Sequence, residues 1–248
     1  MSEDLERLAA LVGGADSVLV LTGAGISVPS GIPDFRTPGT GIWENVDPME
    51  VAHIDSFRRD PALFWSFYRE RLNALSEVAP NRAHQVVAEL EAEGVVDAVV
   101  TQNIDTLHQR AGSREVIEVH GSIRTSSCEA CGASVALSDL EDRFDEQGVP
   151  ACTQCTSALR PDVVLFGEAL PIEAMERASR LAVDADLILC IGSSLEVYPV
   201  AGLPELTMAA GGRFALVTQG PTPYDSQAEV KLSGDVVSEL EELQAALA

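Results

Sequence analysis

Short, densely apolar runs alternate along this chain with longer amphipathic stretches. Runs at Val18–Leu21, Val95–Thr101, Val116–Val119, Leu187–Ile191 and Phe214–Val217 are apolar at nearly every position. Strands covered on both faces read this way. Between them apolar residues recur at helical spacing, which predicts helices at about 3–12, 60–76, 82–93, 105–111, 171–183 and 235–247. Gly94 is a suitable stop for 82–93, because glycine accepts the left-handed conformation that ends many helices. The alternation predicts an α/β fold built on a doubly wound, parallel, Rossmann-like sheet.

Two stretches break the pattern. Residues 30–75 mix Pro, Gly, aromatics and Arg, and residues 122–160 hold four of the five cysteines. Both read as excursions that together build a smaller lobe. The expected division is a large domain of 1–29, 76–121 and 161–248, a loop and helical module of 30–75, and a metal-ribbon module of 122–160. A chain of 248 residues suits one large domain with such insertions.

Composition changes the picture mainly through charge. The formal net charge is −23, and Lys231 is the only lysine; the other basic residues are arginines. Such a surface repels nucleic acid and anionic membranes, so neither is expected as a partner. It also suggests adaptation to high salt, where carboxylates keep the surface hydrated and their repulsion is screened. No apolar stretch reaches the roughly 18 residues of a spanning helix. The opening MSEDLERLAALVGG is acidic and lacks the basic start of a signal peptide. A cytoplasmic, reducing location is expected, where paired cysteines mean metal before disulfide.

Cys128-x-x-Cys131 and Cys152-x-x-Cys155 are 20 residues apart. Each pair forms a knuckle that aims two thiolates at one point, and four thiolates complete tetrahedral Zn²⁺ with no open position. The metal is therefore expected to be structural. The ribbon around it carries Arg124, Arg143 and Arg160 against Glu129, Asp139, Glu141, Asp142, Asp145 and Glu146, which disfavours nucleic-acid binding. Cys190, alone in an apolar run, reads as a core thiol.

The first apolar run leads into GAGISVPSGIPDFR at 23–36. A strand feeding a glycine-rich turn brings backbone N–H groups against a pyrophosphate. Gly23 and Gly25 fit the dinucleotide pattern, but Val28 stands where its third glycine belongs. The next strand-like run also begins about 70 residues on, where a plain dinucleotide unit needs about 30. The intervening segment reads as a cover over a cofactor. Three further polar clusters follow strands. Thr101-Gln-Asn-Ile-Asp-Thr-Leu-His108 offers amide and carboxyl groups suited to a carboxamide, but Asn103 and Asp105 equally suit helix capping, and the residues alone leave both open. His120, followed by Gly121 and Ser122, is placed as a general base, although a lone histidine is often structural. Gly192-Ser-Ser-Leu195 suits ribose or phosphate as well as it suits an ordinary turn. His53, His84 and His108 have no comparable setting; His84 and His108 are expected on helices with local hydrogen bonds.

In this order the pieces resemble the sirtuins, the NAD-dependent protein deacylases. The matching blocks are GAGISVPSGIPDFR (23–36), TQNIDTLHQRAG (101–112), HGS (120–122), both C-x-x-C pairs, RPDVVLFGE (160–168) and GSSLEVYP (192–199). The resemblance implies that NAD⁺ lies between the large domain and the small lobe. It implies cofactor contacts from Gly23, Ala24, Gly25, Ser27, Ile32, Asp34, Phe35, Arg36, Gln102, Asn103, Ile104, Asp105, Gly192, Ser193, Ser194, Thr218 and Val236. Asn103 and Asp105 then bind the nicotinamide carboxamide, and Asn103 counts with His120 as catalytic. The acyl oxygen of a modified lysine displaces nicotinamide, and His120 activates a ribose hydroxyl that attacks the resulting imidate. Products are free lysine, nicotinamide and O-acyl-ADP-ribose. Val163, Phe166, Gly167 and Glu168, with Glu196 and Val197, resemble the two strands that flank the substrate peptide. Ala52, Tyr68 and Arg71 resemble the signature of the desuccinylase-type class, in which a small residue, a phenol and a guanidinium accept an acidic acyl group. With the acidic composition, the resemblance suggests a halophilic archaeal sirtuin. Ser193, Thr218 and Val236 depart from the usual Thr, Asn and Ala. A mono-ADP-ribosyltransferase would use the same site. A nicotinamide dehydrogenase and a non-catalytic zinc-ribbon binding module are further alternatives; the missing third glycine and the set of His120, Asn103 and Asp105 disfavour them respectively.

Overall fold

The computed structural model describes residues 2–34, 41 and 46–248. Phe35 and Arg36 lie outside the described residues.

Six parallel strands form the main sheet: β1 (Val18–Thr22), β2 (Ala98–Thr101), β3 (Val116–Glu118), then, after an excursion, β7 (Leu187–Ile191), β8 (Arg213–Val217) and β9 (Val230–Leu232). Their order is β3-β2-β1-β7-β8-β9, and every pairing is parallel. Connections leave β1 in one direction and β7 in the other, so the order reverses between these two strands. In open α/β sheets that reversal opens a crevice at the carboxyl ends of the strands. β1, β2, β7 and the last four residues of β8 are buried throughout, as their unbroken apolar runs predict.

Helices cover both faces. One face packs on α1 (Glu3–Gly13), α5 (Arg82–Ala92) and α10 (Val236–Leu247), through Leu5, Leu8, Val86, Leu90, Leu240 and Leu243. The other packs on α8 (Ile172–Asp184) and α9 (Leu203–Ala209), through Ala178, Ala182 and Leu203. α6 (Leu107–Ala111) follows β2. The strand expected over 95–101 begins only at Ala98, because Val95 and Val96 both donate to the Leu90 carbonyl and close α5. Gly94, with φ of +78°, makes that exit possible. β9 and α9 lie in mixed polar and apolar sequence that periodicity did not mark.

The two irregular stretches share one core. The first carries α2 (Pro48–Val51), α3 (Ile54–Arg59) and α4 (Pro61–Glu77); the second carries β4 (Gly121–Cys128), β5 (Ser134–Ala136), α7 (Leu137–Leu140) and β6 (Leu159–Val163). β4 pairs antiparallel with β5 and β6. Ile54, Phe57, Phe64, Trp65 and Leu72 pack with Ile123, Leu140, Leu159, Val163 and Leu165 in a single cluster. Trp65 is fully buried, and its indole N–H donates to the Leu159 carbonyl at 2.8 Å. Its burial therefore leaves no polar group unpaired.

Candidate functional site

The polar clusters singled out in the sequence all meet at the carboxyl edge of the main sheet. Gly23–Ser27 follows β1, Gln102–Asp105 follows β2, His120 follows β3, Gly192–Ser194 follows β7 and Thr218 follows β8. Val236 opens α10 beyond β9 and is partly buried against the helices of that face. Ile32 and Asp34 lie at the end of the described part of the glycine-rich segment.

The β1 and β7 loops touch backbone to backbone. Gly25 N–H donates to the Gly192 carbonyl at 2.8 Å, and Gly23 N–H to Ile191 at 3.1 Å. A Cβ on Gly25 would lie 2.7 Å from the Gly192 backbone, and one on Gly192, where φ is +61°, would lie 2.3 Å from Ile26 N. Glycine is required at both positions by this approach. Ala24 begins a 3-10 turn over Ala24–Ile26, so its N–H has no partner inside the turn and is suited to an anion. This cradle, at the reversal of strand order, fits the pyrophosphate of a dinucleotide.

Beneath the cradle lies a closed polar network. Ser27 Oγ donates to Asp105 Oδ2 at 2.7 Å and accepts from Asn103 Nδ2 at 3.2 Å. Asn103 Nδ2 also donates to the Gly23 carbonyl at 3.0 Å, tying the β2 loop to the β1 loop. Asp105 does cap α6, since Oδ1 accepts from Leu107 N–H at 3.0 Å, while Asn103 turns back to Gly23. Burial holds the Asp105 carboxyl above the usual range, opposed by its hydrogen bonds from Leu107 and Ser27. Ile104 points to the small lobe, where it joins the shared core.

His84 and His108 correct an expectation. Both sit on helices, but neither imidazole makes a local hydrogen bond. His108 Nε2 meets Thr22 Oγ1 at 2.9 Å, and His84 Nε2 meets Ser27 Oγ at 3.3 Å. Thr22 spends its proton on Thr101 Oγ1 and Ser27 spends its own on Asp105, so both imidazoles donate from Nε2. Each Nδ1 is buried without a partner, and the rings meet edge to face at 5.0 Å. Burial lowers the pKa to about 4 for His84 and about 3 for His108. These residues support the network from below. Their sequence signal was weak, because the partners lie 57 and 86 residues away.

His120 stands beside this network. Its Nδ1 lies 2.9 Å from the Gln102 carbonyl, which can only accept. Nδ1 therefore carries the proton and Nε2 keeps the lone pair. Burial lowers the His120 pKa, partly offset by the bond to Gln102, so the ring is neutral at physiological pH. Gln102 Nε2 donates to Ser193 Oγ at 2.8 Å, which joins the β2 and β7 loops.

On the small-lobe side, Val163 ends β6 and Phe166 makes one isolated bridge to His53. Phe166 N–H donates to the Ala52 carbonyl and Ile54 N–H to the Phe166 carbonyl. The segments 163–168 and 196–198, expected as strands, are not ladder strands beyond Val163. Gly167 adopts φ of +86°, and Arg160 grips the end of the first segment, donating to Val163 O at 2.8 Å and Glu168 Oε2 at 2.7 Å. Arg160 also reaches Glu129, between the first two cysteines, so the metal knuckle and this segment are coupled. Neither Arg160 nor Glu129 stood out in the sequence as a site residue.

Ala52 and Tyr68 are brought together with Phe67 and Val51 in a small apolar cluster, and Tyr68 stacks on Phe64 at 4.3 Å. Arg71 lies over the Phe67 ring at 3.5 Å and donates to the Phe67 carbonyl. Phe67 thus belongs with the three residues named from sequence: it joins Ala52, at the end of α2, and Tyr68 in the cluster, and lies one turn before Arg71 on α4.

The four cysteines of the ribbon converge. All four sulfurs lie within 4.8 Å of one another, with Cys128–Cys155 at 3.4 Å and Cys131–Cys152 at 3.5 Å. Tetrahedral zinc with bonds of about 2.3 Å needs sulfurs about 3.8 Å apart, so the set fits the ion. Cys190 is buried in the sheet, as expected, and burial pushes its thiol pKa up.

With this geometry in view, comparison with known proteins is specific. The Sir2 family profile matches residues 23–199. An NAD-dependent protein deacetylase of Thermotoga maritima is 44% identical over 219 residues, 88% of each chain. An NAD-dependent protein deacylase 2 of Pyrobaculum aerophilum is also 44% identical, over 92% of this chain and 90% of its own. Among solved structures, a complex of Sir2 with a p53 peptide and NAD⁺ superposes with a TM-score of 0.91 at 40% identity, covering 99% and 98% of the two chains. A Sir2 variant with a deacetylated p53 peptide and 3′-O-acetyl ADP-ribose reaches 0.93, covering 97% of each.

Proposed function

The chain belongs to the Sir2 family, and on that premise we propose that it is an NAD⁺-dependent protein lysine deacylase. It removes acetyl groups, and also succinyl or malonyl groups, from protein lysines. NAD⁺ supplies an activated ribose carbon with nicotinamide as leaving group. Gly23, Ala24, Gly25, Gly192, Ser193 and Ser194 hold the phosphates and nearest ribose. Ser27, Asn103 and Asp105 orient the carboxamide, with Ile32, Asp34 and Ile104 beside it; Gln102 positions both His120 and Ser193. Thr218 and Val236 lie toward the adenosine. His120 Nε2 takes a ribose hydroxyl proton, since its tautomer leaves that nitrogen as acceptor; this observation carries the reading. Substrate backbone lies between 163–168 and 196–198. Four thiolates hold one structural zinc, which fixes the ribbon and, through Glu129 and Arg160, the substrate segment.

The acidic-acyl reading rests on Ala52, Tyr68, Phe67 and Arg71. Arg71 offers a charge-assisted contact to a distal carboxylate, and burial lowers its pKa only from an arginine's high starting value, so it stays charged. The division into 1–29, 76–121 and 161–248, with 30–75 and 122–160 inserted, is part of the same proposal. So are a cytoplasmic location and the absence of nucleic-acid or membrane partners; the latter two rest on the charge of −23. Among the described residues no helix is long and apolar enough to cross a membrane. High-salt adaptation rests on the same charge, and greater stability in molar KCl than in dilute buffer checks it.

The test is a panel of acetyl-, succinyl- and malonyl-lysine peptides with NAD⁺, read by mass spectrometry for O-acyl-ADP-ribose. Wild type is expected to remove succinyl at least as efficiently as acetyl. Arg71→Met should lose about ten- to a hundredfold in kcat/KM on succinyl while keeping acetyl. Equal losses on both would make Arg71 a support of the fold and leave a plain deacetylase. Label appearing on protein in place of O-acyl-ADP-ribose would mean an ADP-ribosyltransferase.

A further inference from the structure

Two tyrosines are placed against their surroundings. Tyr198 is 63% exposed, in a run where Glu196, Val197 and Pro199 are exposed as well, yet its hydroxyl is turned to the protein. Tyr224 stands in the loop between β8 and β9, beside exposed Gln219, Gly220, Pro221 and Pro223, yet it is only 2% exposed. Their hydroxyls meet at 2.9 Å, and Tyr224 donates to Glu205 Oε1 on α9 at 2.7 Å. Tyr224 has a single proton, committed to Glu205, so Tyr198 donates and Tyr224 accepts. Burial, the Tyr198 hydroxyl and the Glu205 carboxylate raise the Tyr224 pKa above that of an ordinary phenol, so the relay keeps its protons.

The inner partner is firmly held. The Tyr224 ring packs edge to face on Phe214 in the core of the sheet, with centroids 6.2 Å apart. Its N–H donates to Thr222 Oγ1 at 3.1 Å, and its carbonyl accepts from Gln227 N–H at 2.9 Å. Lys231 braces the same loop, donating to the Gly220 carbonyl and to Asp225 Oδ2 at 2.8 Å each. The outer partner lies in a segment of the opposite kind. Residues 196–199 join no strand of either sheet and run exposed between buried Leu195 and Val200. A segment of this kind has conformational freedom that a bound peptide would have to freeze. Fixing it beforehand removes part of that cost.

We propose that Tyr224 is a positioning residue for deacylation: acting through the Tyr198 hydroxyl, it holds residues 196–198 in place for the backbone of an acylated peptide. The proposal rests on the deacylase reading, which lays the peptide against this segment. It adds a residue of the β8–β9 loop that no sequence motif marked.

The experiment compares wild type with Tyr224→Phe, Tyr198→Phe and the double variant. Affinity for one labelled acetyl-lysine peptide is read by fluorescence anisotropy, and kcat and both KM values by nicotinamide release. Each single variant should weaken peptide affinity and raise the peptide KM about three- to tenfold, the loss of one hydrogen bond. The double variant should lose no more than either single one, because both remove the same contact. The values of kcat and of the KM for NAD⁺ should not move. Tyr198→Phe changes an exposed residue, so it reads the contact even if Tyr224→Phe folds poorly. Unchanged peptide affinity in Tyr198→Phe overturns the proposal, as do additive losses in the double variant. A matching rise in the KM for NAD⁺ would make Tyr224 a general support of the loop and would equally overturn it. If peptide binds and no nicotinamide is released, the deacylase reading fails, while the affinities still decide the role of Tyr224.

Discussion

The two halves of the molecule are held together differently. In the large domain, the central strands are buried at every position and are covered by helices on both faces. In the small lobe, β6 alternates between buried and half-exposed residues, β4 mixes buried, half-exposed and exposed ones, and β5 has no buried residue. What closes that lobe is one aromatic cluster, the four cysteines and surface ion pairs such as Arg58–Glu129. Exposed ion pairs contribute little, about 0–1 kcal/mol each. The lobe therefore depends on its metal as the sheet does not. The difference matters for chemistry, because the sheet carries the proposed cofactor groups and the lobe carries the proposed acyl-pocket groups Ala52, Tyr68 and Arg71.

Breaking the metal site should separate the two halves most sharply. Cys128→Ser is expected to lose zinc and disorder the small lobe, since three thiolates hold the ion much less well. Peptide turnover should vanish, while the sheet keeps its far-ultraviolet signal and slow proteolysis. Metal analysis should give about one zinc per wild-type chain. A metal-free protein with full activity would show that the lobe stands on its own core.

His120→Ala sharpens the comparison from the sheet side. It should leave zinc content and NAD⁺ binding intact and cut turnover by about a hundredfold or more, the usual contribution of a general base. Because burial lowers the His120 pKa, activity should rise with pH on an acid limb lying below the ordinary histidine value of 6.5. Retention of more than about a tenth of wild-type turnover is incompatible with the assigned base.

The smallest effect concerns how the sheet side responds to acid. An unfolded histidine takes its proton near 6.5, whereas His84 does so at about 4. Between these values the unfolded chain binds more protons, so stability is full above 6.5 and falls as pH drops toward 4. At about 1.4 kcal/mol per unit, His84 alone accounts for about 3–4 kcal/mol. His108 acts in the same direction. Guanidinium midpoints measured from neutral pH downward should therefore fall less steeply in His84→Gln. Parallel slopes in the two proteins would remove His84 from this account.

The legibility of the sequence follows the same contrast. Strands of the large domain were visible because a strand buried on both faces is apolar at every position. The ribbon strands were not, because a short strand in a thin lobe carries Arg124, Thr125 and Ser127 as readily as Ile123. The cysteine pairs were legible through spacing alone, since each knuckle is local. Ala52, Tyr68 and Arg71 came from resemblance, and their neighbour Phe67 appeared only when α4 was folded.

What the sequence by itself determined is what local chain geometry dictates: the alternation that makes a parallel sheet, the glycines of the first turn, and the four metal ligands. Only the tertiary structure decided which groups meet across the loops. Asn103 was equally fit to cap a helix, and the approach of the β1 loop turned it to Gly23. The His120 tautomer depends on a carbonyl 18 residues away, and the setting of His84 and His108 on hydroxyls across the sheet edge. The Tyr198 hydroxyl meets that of Tyr224, 26 residues away. Hydrogen bonds and burial act through space, and a linear pattern records them only where the partners are also neighbours along the chain.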